Sequence, residues 1–362
     1  MVINRLFAIF PKEKENLIFN HILRLLLVIA VPTHYHQRYF LCRMGLASQC
    51  KTVHVGRAHS HLKWSKNIEP ALLVSSGDTV TFDAVDSSNG QISATSDVSA
   101  ISSIDLSIAN PVFGPVYIQD VHPGDVLKVD VLDLEVADWG WSAVIPGFGL
   151  LADEFPEPSL YIWKLDREHN YALFKDNTRI PLRPFLGCMG VAPATDDDLS
   201  TIPPTDAGGN MDCSMLSVGS TVYLPIQTAG ALFSCGDGHA AQGQGEVCGT
   251  AIETPLRATL RFEICKDQPW VRAPAYQTPP SSLLRSSISD RGCYAAMGVD
   301  SDLVQAAKKA VRSIIQWLVS TKGFSRSEAY ILASVAGNLE IVEAVNMPNY
   351  EVAMSFPLGI FG

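Results

Sequence analysis

The stretch GDVLKV at residues 124–129 indicates the fold of this chain, because a Gly-Asp turn there leads directly into a run of strand-forming residues. GDTVTF at residues 77–82 and GSTVYL at residues 219–224 share this pattern, and ATLRFEI at residues 258–264 alternates between apolar and polar side chains. Alternation is typical of a strand with one face in a core, and a glycine turn marks where such a strand begins. Many short strands between Gly and Pro turns predict an α+β, β-rich protein with a jelly-roll-like β-sandwich core.

Helical periodicity follows near the C-terminus. Apolar residues from Leu303 to Leu318 recur on one helical face, Asp302 is placed to cap the start, and Lys322-Gly323 closes the segment. SRSE at residues 325–328 is a capping box that opens a second helix, which we expect to end near Gly337. These patterns predict a helical hairpin packed on the sheet.

The predicted organisation has two parts. Residues 1–50 are expected to be an accessory or wrongly predicted extension, and residues 51–362 are expected to form one domain. Within this domain we expect a β-rich core at 51–272, a Pro-rich link at 273–282, and the helical hairpin with terminal strands at 283–362. The apolar segment Leu17–Val31 carries Asn20, His21 and Arg24, so it is too short and too polar for a membrane span of ~20 residues. No stable membrane insertion is expected.

Composition restricts the classes of partner. The chain of 362 residues is 47% apolar and 18% charged, with a formal net charge of −10. This balance is typical of a globular protein and argues against nucleic-acid binding, which depends on clustered Lys and Arg. The eight cysteines include no C-x-x-C pair. We therefore expect free, mostly buried thiols and a cytoplasmic location.

The glycine-rich stretch Cys235–Glu253 (CGDGHAAQGQGEVCGTAIE) is the candidate functional site. It places Asp237, His239, Gln242, Glu246 and Glu253 among five glycines, which let the backbone approach a ligand closely. Asp237 and His239 are two apart, so on a strand both would face one side and could form half of a zinc site.

Further ligands could come from two other segments. GGNMD at residues 208–212 ends in the carboxylate of Asp212, and the pair His59 and His61 could supply a second imidazole. Each residue also has a structural interpretation, since Asp in such turns often caps the backbone and most histidines are not ligands. Spacing alone therefore leaves a metal hydrolase as one of the open interpretations.

Several motifs in order make the chain similar to a known family. They are HLKW at 61–64, NPVFGPV at 110–116, WGWSA at 139–143, PGFGLLADEF at 146–155, GNMD at 209–212, CGDGHA at 235–240, GEVCGTAIE at 245–253 and MPNY at 347–350. With these motifs the chain resembles the acetamidase/formamidase family, most closely its fungal formamidases, from about Thr52 to the C-terminus.

The resemblance implies hydrolysis of a short aliphatic amide, formamide or acetamide, to the carboxylic acid and ammonia. It also implies a homo-oligomer with a bound divalent metal. We expect Zn²⁺ to activate a water, and a second ion such as Ca²⁺ is an open alternative. The expected metal ligands are His61, Asp212, His239 and Asp237.

Glu246 is the expected proton carrier beside His239 and Asp237. The small amide pocket is expected to include Trp64, Trp141 and Asn210, with Trp139 as a further candidate wall.

Two alternatives remain open at the level of sequence. A thiol, Cys248 or Cys235, could be the nucleophile of an amidase. The chain could also be a non-catalytic paralogue that binds small amides, because Gln244, Asn338 and Asn346 stand where the family commonly has carboxylates. Loss of anionic oxygen weakens a site for a hard cation.

Overall fold

The computed structural model describes residues 52–150, 152–153, 155–174, 178–246, 248–280, 291–326, 329, 333, 337–358 and 361. The predicted extension at residues 1–50, with Cys42 and Cys50, lies outside the described residues. In the described part, no helix combines the length and the apolar character that crossing a membrane requires.

Strands dominate the architecture. The strands are β1 (Thr52–Val55), β2 (Ser60–His61), β3 (Lys63–Trp64), β4 (Leu72–Val74), β5 (Thr79–Ala84), β6 (Val112–Ile118), β7 (Val126–Val136), β8 (Trp139–Val144), β9 (Ser159–Asp166), β10 (Tyr171–Phe174), β11 (Thr178–Pro181), β12 (Phe185–Gly190), β13 (Leu199–Ser200), β14 (Gly208–Asn210), β15 (Thr221–Pro225), β16 (Phe233–His239), β17 (Leu256–Cys265), β18 (Ala275–Gln277), β19 (Cys293–Asp300), β20 (Asn338–Glu343) and β21 (Tyr350–Pro357). The helices are α1 (Ser99–Ser103) and α2 (Leu303–Lys322), with one-turn 3₁₀ helices at Arg57–His59 and Leu106–Ile108.

The turn-and-strand pattern of the sequence is confirmed. Gly77, Gly124 and Gly219 have φ of 98°, 97° and 88°, and β5, β7 and β15 begin two residues after them. These φ values lie in the region that side chains disfavour, which is why glycine precedes each strand. Along β17 the first seven residues alternate between buried positions and more exposed ones, as the sequence predicts.

Two large sheets form the body of the domain. One has nine strands in the order β1-β5-β17-β7-β15-β18-β19-β21-β20, and the other has six, with the path β14-β12-β16-β6-β2 and β4 paired to β6. Their apolar faces share one core, in which Phe233 of β16 lies with its ring centroid 6.0 Å from Phe82 and 4.9 Å from Phe262. The predicted β-sandwich is therefore confirmed.

Helix α2 confirms the first helix of the predicted hairpin. The side chain of Asp302 accepts a hydrogen bond from the backbone N–H of Gln305, and Gly323 ends the helix with φ of 74°. The apolar face packs on β19 and β21, where the Trp317 ring stacks on Tyr294 at 4.4 Å. This packing follows from the one-sided apolar pattern of the helix.

Most of the second predicted helix, residues 325–336, lies outside the described residues. Two hydrogen bonds at its ends have helical spacing: Ala329 N–H donates to the carbonyl of Ser325, and Gly337 N–H donates to that of Ala333. Both Ala329 and Ala333 are buried with the apolar face of α2.

The predicted Pro-rich link at 273–282 differs from what the structure shows. Strand β18 lies within it and joins β15 to β19 in the nine-stranded sheet. The reason is Tyr276, whose side chain is fully buried in the core and holds this short segment in the sheet between Pro274 and Pro279. The terminal strands are thus part of the same sandwich.

Glu351 on β21 is an exception to the apolar interior. Its side chain is 0% exposed, and neither carboxylate oxygen has a hydrogen-bond partner among the described residues. Burial, followed by the nearby carboxyl group of Glu343, raises the pKa of Glu351 well above its usual value. An unpartnered buried carboxyl group is more stable in its neutral form.

This pKa shift predicts a pH-dependent stability difference between the wild type and Glu351→Gln. The folded protein keeps a proton that the unfolded chain releases near pH 4.3, so the free energy of unfolding falls by up to about 1.4 kcal/mol per pH unit above that value. The Gln variant lacks this loss, so its stability relative to the wild type should rise steadily from pH 5 to pH 8. Urea unfolding at each pH measures it.

Glu135→Gln is the control, because Glu135 lies exposed on β7. We expect this variant to follow the wild-type pH dependence. A difference between Glu351→Gln and the wild type that stays constant from pH 5 to pH 8 would show that Glu351 does not keep its proton in the fold.

Candidate active site and metal centre

The six-stranded sheet and the connections at its strand ends bring four carboxylates around one imidazole. Asp237 and His239 lie on β16, Asp212 follows β14, and Glu246 and Glu253 lie between β16 and β17. Strand β12 separates β14 from β16, so residues distant in sequence meet at this end of the sheet. The structure thus brings together Asp212, Asp237, His239 and Glu246 from the predicted site and adds Glu253.

The orientation of His239 is set by its neighbours on β12 and β16. Phe185 is its cross-strand partner, and the two rings are perpendicular with centroids 4.8 Å apart. Nε2 of His239 lies 3.2 Å from Oδ1 of Asp237 and 3.2 Å from Oε2 of Glu253. Asp237 and His239 therefore share one side of β16, as their spacing predicts.

The other ring nitrogen faces Asp212. Nδ1 of His239 lies 3.9 Å from Oδ1 of Asp212, and both atoms are buried without a hydrogen-bond partner among the described residues. Asp212, His239 and Glu246 form one group of possible ligand atoms within 4.8 Å of one another, and Asp237, His239 and Glu253 form a second. Unpartnered polar atoms in a buried cluster are what a bound cation would satisfy.

Burial perturbs the acid-base chemistry of the cluster. Its five side chains belong to residues that are only 1–7% exposed. Burial first, then the charges of neighbouring carboxylates, raises the pKa of Asp212 and Glu246 well above their usual values. Burial also raises the pKa of Asp237, although the His239 charge opposes this. Carboxylates this close cannot all be ionised without a compensating positive charge.

The pKa values of His239 and Glu253 shift in the directions expected for an ion pair. Burial alone would lower the pKa of His239, but the charges of Glu253 and Asp237 outweigh it and raise that pKa well above its usual value. Burial would raise the pKa of Glu253, but the charge of His239 outweighs it. Hydrogen bonds from His239, from Ser87 and from the Ala251 N–H lower this pKa further. The surrounding carboxylates thus favour the protonated form of His239, and His239 favours the ionised form of Glu253.

Three of the acidic residues have an unusual backbone. Asp212, Asp237 and Glu246 have φ of 44°, 60° and 44°, in the left-handed region that costs non-glycine residues of order 1–3 kcal/mol each. Such conformations persist only where the surrounding structure enforces them. Their coincidence with the cluster supports a functional role for these three residues.

Gly187 on β12 makes room for two of the carboxylates. A β-carbon at this position would overlap Oδ1 of Asp212 and Oδ2 of Asp237. Any other residue would therefore push these side chains out of place, and Gly187 is required for the geometry of the cluster rather than for a turn.

Surrounding residues hold Glu253 and Asp212 in position. Ser87 Oγ donates to Oε2 of Glu253 at 2.7 Å, and the Ala251 N–H donates to Oε1 at 2.8 Å. Asn346 Nδ2 donates to Oδ2 of Asp212. The sequence contained a signal for Glu253, because it lies in the same glycine-rich stretch, but its contact with His239 could not be assigned from spacing.

A cavity of about 280 Å³ opens onto the cluster. Trp141 and Asn210, two of the residues expected in the substrate pocket, line it. Trp64 does not line it and packs in a small buried cluster with Val112 and Cys188. Trp139 packs against the apolar cluster that contains Trp141 and Ile145, but does not itself line the cavity. For these two tryptophans core packing is thus the role that the structure shows.

The structure does not bring His61 to the cluster. Its Nδ1 contacts the carbonyl oxygen of Lys63 at 2.8 Å, and its Nε2 contacts Oγ of Ser234 at 2.9 Å, so both ring nitrogens are engaged. Ser234 lies five residues before His239 on β16, roughly 16 Å along a strand. His61 belongs to neither group of possible ligands in the described chain. The spacing of histidines could not reveal this distance.

The two candidate thiols differ in environment. Cys235 is fully buried, and burial raises its pKa well above the usual value. Cys248 is exposed, and its thiol lies 3.4 Å from the carbonyl oxygen of Thr250. The nitrogens of His239 face carboxylates instead. In the described residues neither thiol therefore has the adjacent base that nucleophilic catalysis requires.

The three amides that stand where the family commonly has carboxylates lie in different environments. Gln244 and Asn338 are exposed, whereas Asn346 is buried and contacts Asp212. Only Asn346 among the three alters the charge next to the cluster.

Comparison with known proteins identifies the family of this chain. The family model of the acetamidase/formamidase family matches residues 48–198 and 194–362. A formamidase from Methylophilus methylotrophus is 25% identical over 83% of this chain and 89% of its own length. The crystal structure of an acetamidase from Bacillus halodurans has a TM-score of 0.77 at 28% identity, covering 85% of this chain and 98% of its own. The predicted acetamidase/formamidase of Thermoanaerobacter tengcongensis has a TM-score of 0.78 at 27% identity, covering 86% and 97%. The resemblance read from the motifs is confirmed, and the chain belongs to the acetamidase/formamidase family.

Proposed function

We propose that this protein hydrolyses linear amides to the carboxylic acid and ammonia at the Asp212–His239–Glu246 group, with one bound divalent cation. The observation that carries the proposal is the pair of buried, unpartnered atoms Nδ1 of His239 and Oδ1 of Asp212, 3.9 Å apart and beside Glu246. The relatives named formamidase and acetamidase support the reaction class.

The ligand chemistry fits Zn²⁺. Zinc binds imidazole nitrogen and carboxylate oxygen at about 2.0–2.2 Å, so two ligand atoms 3.9 Å apart can share one ion. With its proton on Nε2, held by Asp237 and Glu253, His239 presents the Nδ1 lone pair towards Asp212. A carboxylate on the second ring nitrogen fixes the tautomer of a ligating histidine. We therefore assign Asp237 and Glu253 to orientation of His239.

One ion explains the cluster better than two. The Asp237–His239–Glu253 group shares His239 with the first group, and its nitrogen Nε2 already contacts both carboxylates. A cation bound at Asp212 and His239 would supply Lewis-acid polarisation of the amide carbonyl and acidification of a water. A Ca²⁺ site would require six to eight oxygen ligands, and Asn346 takes up one oxygen of Asp212.

Glu246 is the proposed proton carrier. It lines the cavity, and burial together with the charge of Asp212 raises its pKa above that of an ordinary Glu, which favours proton donation. Amide hydrolysis needs a proton on the departing nitrogen, since NH₂⁻ is too basic to leave. Glu246 can take a proton from the attacking water and transfer it to that nitrogen.

We further propose that the protein is a cytoplasmic homo-oligomer and that its substrate is a small amide.

The first test is ammonia release from formamide and acetamide before and after treatment with a chelator. We expect a loss of about a hundredfold or more on chelation and recovery with Zn²⁺, because removing the cation removes the polarisation of the amide carbonyl and the acidification of a water. Iodoacetamide should leave the rate unchanged, since neither Cys235 nor Cys248 contacts His239. Loss to iodoacetamide with indifference to the chelator would favour a thiol amidase instead.

The matched variants are Gly187→Ala and Gly243→Ala. Gly187→Ala displaces Asp212 and Asp237 and should weaken Zn²⁺ binding by about 10–100-fold, as measured by competition with a chromophoric chelator. Gly243 lies in the same glycine-rich stretch as His239, and a β-carbon there meets nothing within 4 Å. Equal Zn²⁺ affinity in both variants would contradict the assigned site.

Asn346→Asp tests whether the amide substitution weakens the site. The variant replaces the hydrogen bond to Asp212 by a second carboxylate, so the metal-free protein should lose about 1–3 kcal/mol of unfolding free energy. Zn²⁺ should bind about tenfold more tightly and stabilise the variant more than the wild type. Thermal unfolding with and without Zn²⁺ measures both effects.

Asn338→Asp is its control, because Asn338 is exposed at the start of β20. It should leave stability and Zn²⁺ affinity unchanged. If Asn346→Asp behaves like this control, Asn346 does not act on the cation site. If, in addition, neither protein releases ammonia, the non-catalytic interpretation is favoured.

A further inference from the structure

We infer that the cavity selects linear amides with an acyl chain of roughly four to eight carbons, or with a benzoyl group, rather than formamide. The inference rests on the proposed function and names its substrate class. It is carried by the size of the cavity and by the separation of its polar and apolar walls.

The cavity is too large for formamide. Its volume is about 280 Å³. If each non-hydrogen atom takes about 20–30 Å³, on the scale of the roughly 30 Å³ that liquid water occupies per molecule, the space holds roughly 9 to 14 such atoms. Formamide has three. A cation and a water would leave room for an amide of the size of hexanamide or benzamide.

The cavity has one polar wall and one apolar wall. The carboxylates and His239 form one part of the lining, with Asn210 among them. Apolar side chains form the other part, and they include Ile104, Leu106, Ile145 and Phe148. An amide whose carbonyl and nitrogen lie at the cluster must therefore place its acyl group against these apolar side chains.

This apolar wall is backed by the protein interior. Trp141 and Ile145 are buried in one cluster with Ile92 and Ile101, and Ile104 and Phe148 pack against it. The indole N–H of Trp141 donates to Oδ1 of Asp86 at 3.0 Å, which fixes the ring. The wall thus presents a preformed apolar surface to a ligand.

Such an apolar surface should bind a larger acyl group more tightly than a small one. With formamide bound, the apolar wall would remain covered by water. Each methylene that displaces this water should raise kcat/KM by about fourfold, provided that it gains its contacts in the transition state. Four methylenes, the difference between acetamide and hexanamide, should therefore raise kcat/KM on the order of 100-fold.

The test compares kcat/KM for ammonia release from formamide, acetamide, butyramide, hexanamide and benzamide by Zn²⁺-loaded protein. The readout is the ratio of the hexanamide value to the acetamide value on one preparation, which does not depend on the fraction of active protein. We expect a ratio on the order of 100. Ala109→Phe, which fills part of the cavity, should lower this ratio at least tenfold.

Ile108→Phe is the matched control, since Ile108 is 39% exposed beside Ala109 and does not line the cavity. It should keep the wild-type ratio. Ammonia release that is fastest with formamide or acetamide would overturn the inference and leave the amidase function intact. Absence of ammonia from every amide with folded, Zn²⁺-loaded protein would overturn the proposed function and the inference together. An equal ratio in both Phe variants would show that the acyl group lies elsewhere.

Discussion

The buried negative charge around His239 is the constraint on which the rest of this structure depends. Four carboxylates lie within the interior, close to a single imidazole, in a setting where isolated charges are costly. Burial raises the pKa of Asp212, Asp237 and Glu246, so positive charge in the form of protons or a cation must offset these carboxylates. The same arrangement suits a divalent cation, which supplies the missing positive charge and partners for the unpartnered atoms.

The β-sandwich can hold such a cluster because its hydrogen-bonded sheets prevent the buried side chains from moving apart. The core between the sheets holds β12 and β16 firmly, and three acidic residues are kept in left-handed conformations that a flexible loop would relax. Gly187 shows how specific this is, since a single β-carbon on β12 would displace two carboxylates. The rigidity that preorganises the site thus comes from packing that lies outside the site.

The cavity joins two environments that an amide substrate also combines. Its carboxylates and His239 suit a polar carboxamide and a cation, and its apolar wall suits an acyl group. The first environment agrees with the reaction class of the family. The second is formed by Ile104, Leu106, Ile145 and Phe148, which lie in the connections before β6 and after β8. Reaction and substrate range therefore depend on different parts of the chain.

The amino-acid sequence by itself determined the β-rich class with strands β5, β7, β15 and β17, the first C-terminal helix, the family, and the candidates Asp212, Asp237, His239 and Glu246. These follow from local periodicity and from short motifs, which depend on neighbouring residues. Only the tertiary structure decided that His61 and Trp64 lie away from the cluster, that Glu253 contacts His239, and that Asn346 contacts Asp212 across 134 residues of sequence. The physical reason is that strand order and register set which distant side chains meet, and no local pattern encodes that distance.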